Sequence, residues 1–162
     1  MKGTLRRGVA ALAVGVLFSV TLAAQDAAQQ ALRKGEKPTP EFQAIMKANT
    51  AIVAVDGRAG TIAGTVAEAL KKDDFDSIVK DTATLRGNFQ KIEAFFASRK
   101  IESAVGFAKT GLQAIDALES AANAKDKDAA FKAQVNLATA CRSCHVQHRV
   151  HVLTIPLTFE IR

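Results

Sequence analysis

The 162-residue chain contains no tyrosine and no tryptophan, and it has only two cysteines. The absence of these two strand-favouring aromatics, together with abundant alanine, lysine and glutamine, favours helices. Alternation of apolar and polar residues is confined to the tail 152–161, where Pro156 interrupts it. No glycine-rich phosphate loop and no nucleophile–base pair at a recognisable spacing occurs, so the sequence gives no support for an enzyme.

The N-terminal segment has the order of charge and hydrophobicity of a secretory signal peptide. Lys2, Arg6 and Arg7 precede an uncharged apolar run that ends in the small residues Ala23 and Ala24. We expect cleavage after one of these alanines and a periplasmic protein. The alternative is a membrane anchor, because a run of roughly 17 apolar residues is at the lower limit for a span. No cysteine follows either alanine, so a lipid anchor has no support.

Removal of this segment leaves a nearly balanced chain. The full sequence has 22 basic and 16 acidic residues, and the segment contains three of the basic ones and no acidic one. The remaining charge of +3 provides no strong basic patch, and we therefore do not expect nucleic-acid binding.

The predicted domain begins after a polar leader, residues 25–39. Thr39 is placed to cap a helix that has Pro40 at its first position, where the missing N–H costs nothing. Helical spacing then continues to Asp56, weakens at Gly57 and Gly60, and resumes to Lys72. This pattern predicts either one long helix that is interrupted at Gly57 and Gly60 or two separate helices. The residues at helical spacing are Phe42, Ile45, Met46, Asn49, Val53, Asp56, Ile62, Val66, Ala69 and Leu70.

Three further helices are predicted, which makes the fold all-α with four amphipathic helices in a four-helix bundle. Asp73 or Asp74 caps the clearest one, whose apolar residues are spaced alternately by three and four; Phe75, Phe89 and Phe96 are expected in the core. The next spans 101–124, with the charged turn 125–128 after it. The predicted domains are a signal peptide (1–24), the leader (25–39), a helical domain (40–151) and a tail (152–162). The two apolar stripes and the last helix contain, in order, Phe75, Ile78, Thr82, Leu85, Phe89, Ile92 and Phe96; Ile101, Val105, Ala108, Leu112, Ile115 and Ala122; Phe131, Val135 and Ala138.

The last helix carries the motif Cys141-Arg142-Ser143-Cys144-His145. In C-x-x-C-H the two thiols, one helical turn apart, add across the vinyl groups of a haem, and the adjacent histidine binds the iron. The motif therefore predicts one covalently bound haem c, with Cys141 and Cys144 as attachment points and His145 as iron ligand.

The two cysteines also admit other interpretations. A redox C-x-x-C needs a thioredoxin-like setting of alternating strands and helices, which this chain lacks. A zinc site with His148 and His151 would need ligands spread over about 15 Å of helix, too far for one ion. A Cys141–Cys144 disulfide in a non-haem exported binding module stays open as an alternative.

A helical chain with a single C-x-x-C-H in its last helix resembles the class II cytochromes c, which include cytochrome c prime and its low-spin relatives. The resemblance covers about residues 40–150 and extends to Arg149, at a position where the family usually has a basic residue, and to the segment 42–47 of the first helix. Phe42 stands where the family commonly has arginine, and the tail 152–162 is longer and more apolar than in the family. Family members often form dimers through the first two helices, so the resemblance admits a homodimer.

The resemblance places Met46 opposite His145, on the other side of the iron. A thioether ligand there suits an electron carrier that serves redox partner proteins, whereas an open position suits a cytochrome that binds nitric oxide or carbon monoxide. Core packing is the plain alternative for Met46. Lys47 is expected to be a solvated charge and Asn49 a buried-edge polar group. His148 and His151 are expected on the surface or at the haem edge. Arg149 is expected to pair with a haem propionate, to pair with an acidic residue or to be solvated.

Overall fold

Helices dominate the part of the chain that this computed structural model describes, namely residues 35, 37–55, 62–152 and 158–161, which confirms the all-α prediction. The predicted signal segment 1–24 and nearly all of the leader 25–39 lie outside the described residues. None of the described helices is both long and apolar enough to cross a membrane. In chain order the elements are α1 (Pro40–Ile52), β1 (Ala54–Val55), β2 (Ile62–Ala63), α2 (Thr65–Lys71), α3 (Phe75–Ser98), α4 (Glu102–Asn123), α5 (Lys127–His148), β3 (Arg149–Val152) and β4 (Thr158–Ile161).

The helix boundaries follow from local capping chemistry. The Thr39 hydroxyl accepts a hydrogen bond from the Phe42 N–H (3.2 Å), with Pro40 at the first helical position, as predicted. The Asp74 carboxylate accepts from the Ser77 N–H at the start of α3 (3.1 Å). Helices α2, α3 and α4 are each followed, two positions after their last residue, by a residue of positive φ, near 55–58°. The N–H of the next residue donates a hydrogen bond to a carbonyl in the last turn of the helix. The residues of positive φ are Asp73, Lys100 and Lys125.

The region that the sequence left open is two helices rather than one. Helix α1 ends at Ile52, and the short antiparallel pair β1–β2 separates it from α2. Gly64 joins β2 to α2 at φ 102°, and a Cβ atom there would lie 2.4 Å from the Ile52 carbonyl oxygen. Only glycine fits this turn. The prediction that helical structure continues through Val53 was wrong, and Asp56 lies outside the described residues.

Helix α4 packs against both α3 and α5, while α1 and α2 pack on α3. The predicted stripe of α3 is buried from Ile78 to Phe96, with Phe75 partly buried. The Arg86 guanidinium of α3 binds Asp116 and Glu119 of α4, and these two carboxylates raise its pKa. The apolar core of the described residues includes side chains from all five helices.

The buried face of α5 consists mostly of small residues. Of the apolar residues noted on this helix in the sequence, Ala138 is buried, Val135 is partly buried and Phe131 is 54% exposed. The other buried positions of α5 are mainly alanines, together with Gln134, Leu137 and His148.

Helix α5 ends at His148, and the chain continues as a hairpin. Arg149 has an extended backbone (φ −104°, ψ 111°), and β3 pairs antiparallel with β4, Arg149 opposite Ile161 and His151 opposite Phe159. The expectation that His151 continues the helical stripe is therefore wrong. The predicted boundary between domain and tail falls inside β3, because the strand pairing starts as soon as the helix ends.

Candidate functional site

The two cysteines lie one turn apart on α5, and in the structure both are free thiols. Each side chain is half-buried and packs against the hydrophobic core. Burial raises the pKa of Cys141 to about 12, assisted by the neighbouring Cys144, and burial raises the pKa of Cys144 to about 11. Both groups are therefore protonated thiols at neutral pH.

His145 follows Cys144 and keeps contact with solvent at the mouth of two cavities. Partial burial, and then the positive charge of Arg149, lower the pKa of the imidazole. The lowered pKa favours the neutral imidazole, the state in which its nitrogen can bind a metal.

Two adjoining cavities, of about 640 and 610 Å³, meet at the motif. Both are within the range of roughly 300–1,000 Å³ that is usual for small-molecule and cofactor pockets. The residues common to the two cavities come from α1 and from the end of α5. They are Met46, Thr50, Cys144, His145 and Arg149.

Helix α1 forms the wall of the cavities that lies across from the motif. The Met46 side chain is half-buried and packs against the core, one turn before Asn49. Asn49 is 8% exposed, and its Oδ1 accepts a hydrogen bond from Nδ2 of Asn88 at 2.8 Å. Lys47 is exposed. The expectations of a buried polar Asn49 and a solvent-facing Lys47 are confirmed.

The rest of the lining is largely apolar. Phe89, Ile92 and Phe107 line the second cavity, and Phe42 and Phe96 line the first. The Phe42 ring stacks on Phe95 with 4.1 Å between centroids. Phe42, which stands where the resembled family commonly has arginine, thus belongs to a cluster of phenylalanines.

The C-terminal hairpin closes one side of the first cavity, and the sequence did not predict this. Glu160 and Ile161 of β4 line it, as does Arg149 at the start of β3. Strand pairing places Ile161 opposite Arg149, and Ile161 packs against the core. The weak alternation of the tail was a signal for a strand, but its partner could not be read from the sequence.

His148 is the clearest departure from the predicted site. It is 8% exposed, so the surface alternative of the prediction was wrong, while the haem-edge alternative stays a prediction. Its Nε2 lies 3.1 Å from the Ser103 hydroxyl on α4, and its side chain lines the first cavity. A contact with a residue 45 positions away along the chain leaves no local signal in the sequence.

The structure brings Cys141, Cys144, His145, Arg149 and Met46 together around the two cavities. Among the described residues, no group of three or more histidine, cysteine, aspartate or glutamate side chains is arranged to hold a metal ion. Comparisons of the chain with protein-family models, with curated proteins and with solved structures found no match.

Proposed function

We propose that this chain is a periplasmic mono-haem c-type cytochrome that transfers electrons. In this proposal α1, α3, α4 and α5 form a four-helix bundle, and one haem is bound as thioethers to Cys141 and Cys144. His145 would be one ligand of the iron and Met46 would be the other.

One observation carries the proposal: Met46 lines the same two cavities as Cys144 and His145, although 98 residues separate Met46 from Cys144 in the sequence. A C-x-x-C-H motif alone indicates attachment and one ligand. A thioether that lines the same cavities supports Met46 as a second donor, of the type found in electron-transfer cytochromes.

The residues present fit the group. The thiols and the imidazole lie at one helix end beside space of cofactor size, and the walls combine phenylalanine and aliphatic side chains with polar ones such as Gln43 and Glu160. Basic side chains at Lys37, Lys47 and Arg149 border the first cavity, where they can face the propionates. An apolar bed with a cationic rim suits a flat macrocycle that carries two carboxylates.

When bound, the haem supplies the one-electron redox couple. The chain's own residues then set its properties: neutral His145 donates an imidazole nitrogen, and Met46 favours a higher reduction potential than a second histidine would. The phenylalanine side chains would give the haem apolar surroundings, and Glu160 and Ile161 also line the first cavity.

The test is the absorption spectrum of protein exported from cells that have a haem-attachment system. We expect a red, low-spin protein with the far-red sulfur-to-iron band. Met46→Ala should lose this band and react with carbon monoxide when reduced, whereas Lys80→Ala, at an exposed position of α3 that lines neither cavity, should leave the spectrum unchanged. A high-spin ferric wild type that binds carbon monoxide readily on reduction would instead support a five-coordinate, gas-binding cytochrome. A colourless protein would contradict both haem functions and would favour the non-haem binding module.

A further inference from the structure

His148 is a polar residue held inside the protein by two other helices. Its Nε2 shares a hydrogen bond with the Ser103 hydroxyl in the first turn of α4 (3.1 Å). The rings of Phe96 on α3 and Phe107 on α4 lie 6.0 and 6.2 Å from its ring centroid. The last residue of α5 is thereby attached to the α3–α4 end of the fold.

The position of this contact matters because His145 lies in the last turn of the same helix. The final turn of an α-helix lacks the onward hydrogen bonds that hold its interior, and such turns fray. The His145 carbonyl accepts its bond from the N–H of Arg149, the residue at which the backbone becomes extended. Without a side-chain anchor, the orientation of the His145 imidazole would vary with the end of the helix.

His148 follows His145 by three residues, so the two are neighbours on the helix surface. Both side chains line the first cavity, but His148 is buried whereas His145 is exposed. His148 is thus placed to hold the orientation of His145 through the helical turn that the two residues share.

We propose that His148 and Ser103 form an anchor that positions His145 on the iron and so sets the ligand field and the reduction potential. This inference rests on the proposed haem function. His148 acts here as a positioning residue, through the backbone of the last turn of α5, and Ser103 holds it in place.

Two substitutions separate the hydrogen bond from the packing. His148→Phe keeps an aromatic ring between Phe96 and Phe107 but removes the bond to Ser103. Ser103→Ala removes the same bond and leaves the imidazole intact. Thr110→Ala is the matched control, because the Thr110 hydroxyl on α4 donates within its own helix to the Gly106 carbonyl (3.0 Å).

The measurements are the electron paramagnetic resonance spectrum of the ferric state, the midpoint potential and the thermal unfolding of the haem-loaded, full-length protein. We expect both substitutions to shift the g values and the potential in the same direction. The double variant should show no larger shift than the greater of the two, because both changes break one interaction. Thr110→Ala should leave the g values and the potential unchanged.

Variants that lower the unfolding temperature but leave the g values and potential at wild-type values would overturn the proposal, since the pair would then be structural only. Shifts that add in the double variant would also contradict it. If His148→Phe protein fails to accumulate, the g values and the potential of Ser103→Ala, compared with those of Thr110→Ala, test the proposal. Wild-type protein without haem would contradict the proposed function itself. The haem content of the wild type is therefore measured before any variant is made.

Discussion

Burial of the two cysteines has a chemical consequence at the scale of single residues. The thiolate is the reactive form of cysteine, and burial raises the pKa of Cys141 to about 12 and that of Cys144 to about 11. Once the chain has folded without haem, both sulfurs are poor nucleophiles at neutral pH. Attachment is therefore expected before α5 packs against the core.

This predicts slow alkylation of haem-free folded protein, made in cells without a haem-attachment system. At pH 7–8 iodoacetamide should label the folded chain far more slowly than the chain unfolded in urea. The rate should increase with pH toward 11, Cys144 before Cys141, as mass spectrometry of the peptides will show. Equal rates for folded and unfolded chains would contradict the burial of the thiols.

The same pKa shifts make the stability of the haem-free protein depend on pH. The folded state binds these protons more tightly than the unfolded chain, for which the thiol pKa is near 9.0. The stabilisation is fully present below pH 9 and is lost as the pH increases through about 11–12.

Gln134 on α5 is a second residue with a predictable effect. Its side chain is fully buried, and its amide nitrogen and oxygen have no hydrogen-bond partner among the described residues. An unsatisfied buried polar group costs about 1–3 kcal/mol. Gln134→Met, which is similar in volume and apolar, should raise the free energy of unfolding by a comparable amount.

Denaturant unfolding of the two proteins measures this effect. Gln113→Met on the exposed face of α4 is the control and should change the free energy of unfolding by less than about 0.5 kcal/mol. If Gln134→Met instead destabilises the protein, the Gln134 amide has a partner that the packing of α4 and α5 does not reveal.

At the scale of elements, the contact between α3 and α4 depends on one glycine. A Cβ atom at Gly111 would lie 2.1 Å from Cε1 of the buried Phe89 ring, whereas at Gly106, on the same helix, it would meet nothing within 4 Å. Phe89 also lines the second cavity. The close approach of the two helices and the shape of the candidate site therefore share this position.

Gly111→Ala should destabilise the protein, because overpacking of a core typically costs about 1–3 kcal/mol. Gly106→Ala should stabilise it by up to about 1 kcal/mol through helix propensity alone. Thermal unfolding of the two variants measures both effects. Equal stabilisation by the two alanines would show that Phe89 moves freely and that the contact is not tight.

The elements also show which parts of the fold local patterns could predict. The 3–4 spacing of α3 was sufficient to predict this helix, and Thr39 and Asp74 were sufficient to predict the starts of α1 and α3. Periodicity and capping depend on neighbours in the sequence. The exposure of Phe131 was not predicted, because the sequence of α5 alone does not show which of its faces packs against other helices. The end of α5 at His148 was missed because strand pairing with 158–161 stops the helix.

At the scale of the whole molecule, the site also combines features that local sequence patterns predict with features that depend on contacts between distant segments. Cys141, Cys144 and His145 were predicted because the motif is continuous. Met46 was suggested by resemblance alone, and the cavities that it lines with His145 are bordered by residues of α1 and of the end of α5. The Ser103–His148 contact and the position of the hairpin could not be predicted, since both join segments that are distant in the sequence.

The central claim is covalent attachment of one haem at Cys141 and Cys144, and intact-mass measurement after acid–acetone extraction tests it most directly. Protein exported from cells with a haem-attachment system should keep its colour in the extracted polypeptide and exceed the mass of the processed chain by one haem. Cys141→Ala/Cys144→Ala protein should lose the haem on extraction. A wild-type chain whose mass matches the unmodified polypeptide, or one that is lighter by two hydrogens through a Cys141–Cys144 disulfide, would contradict the account.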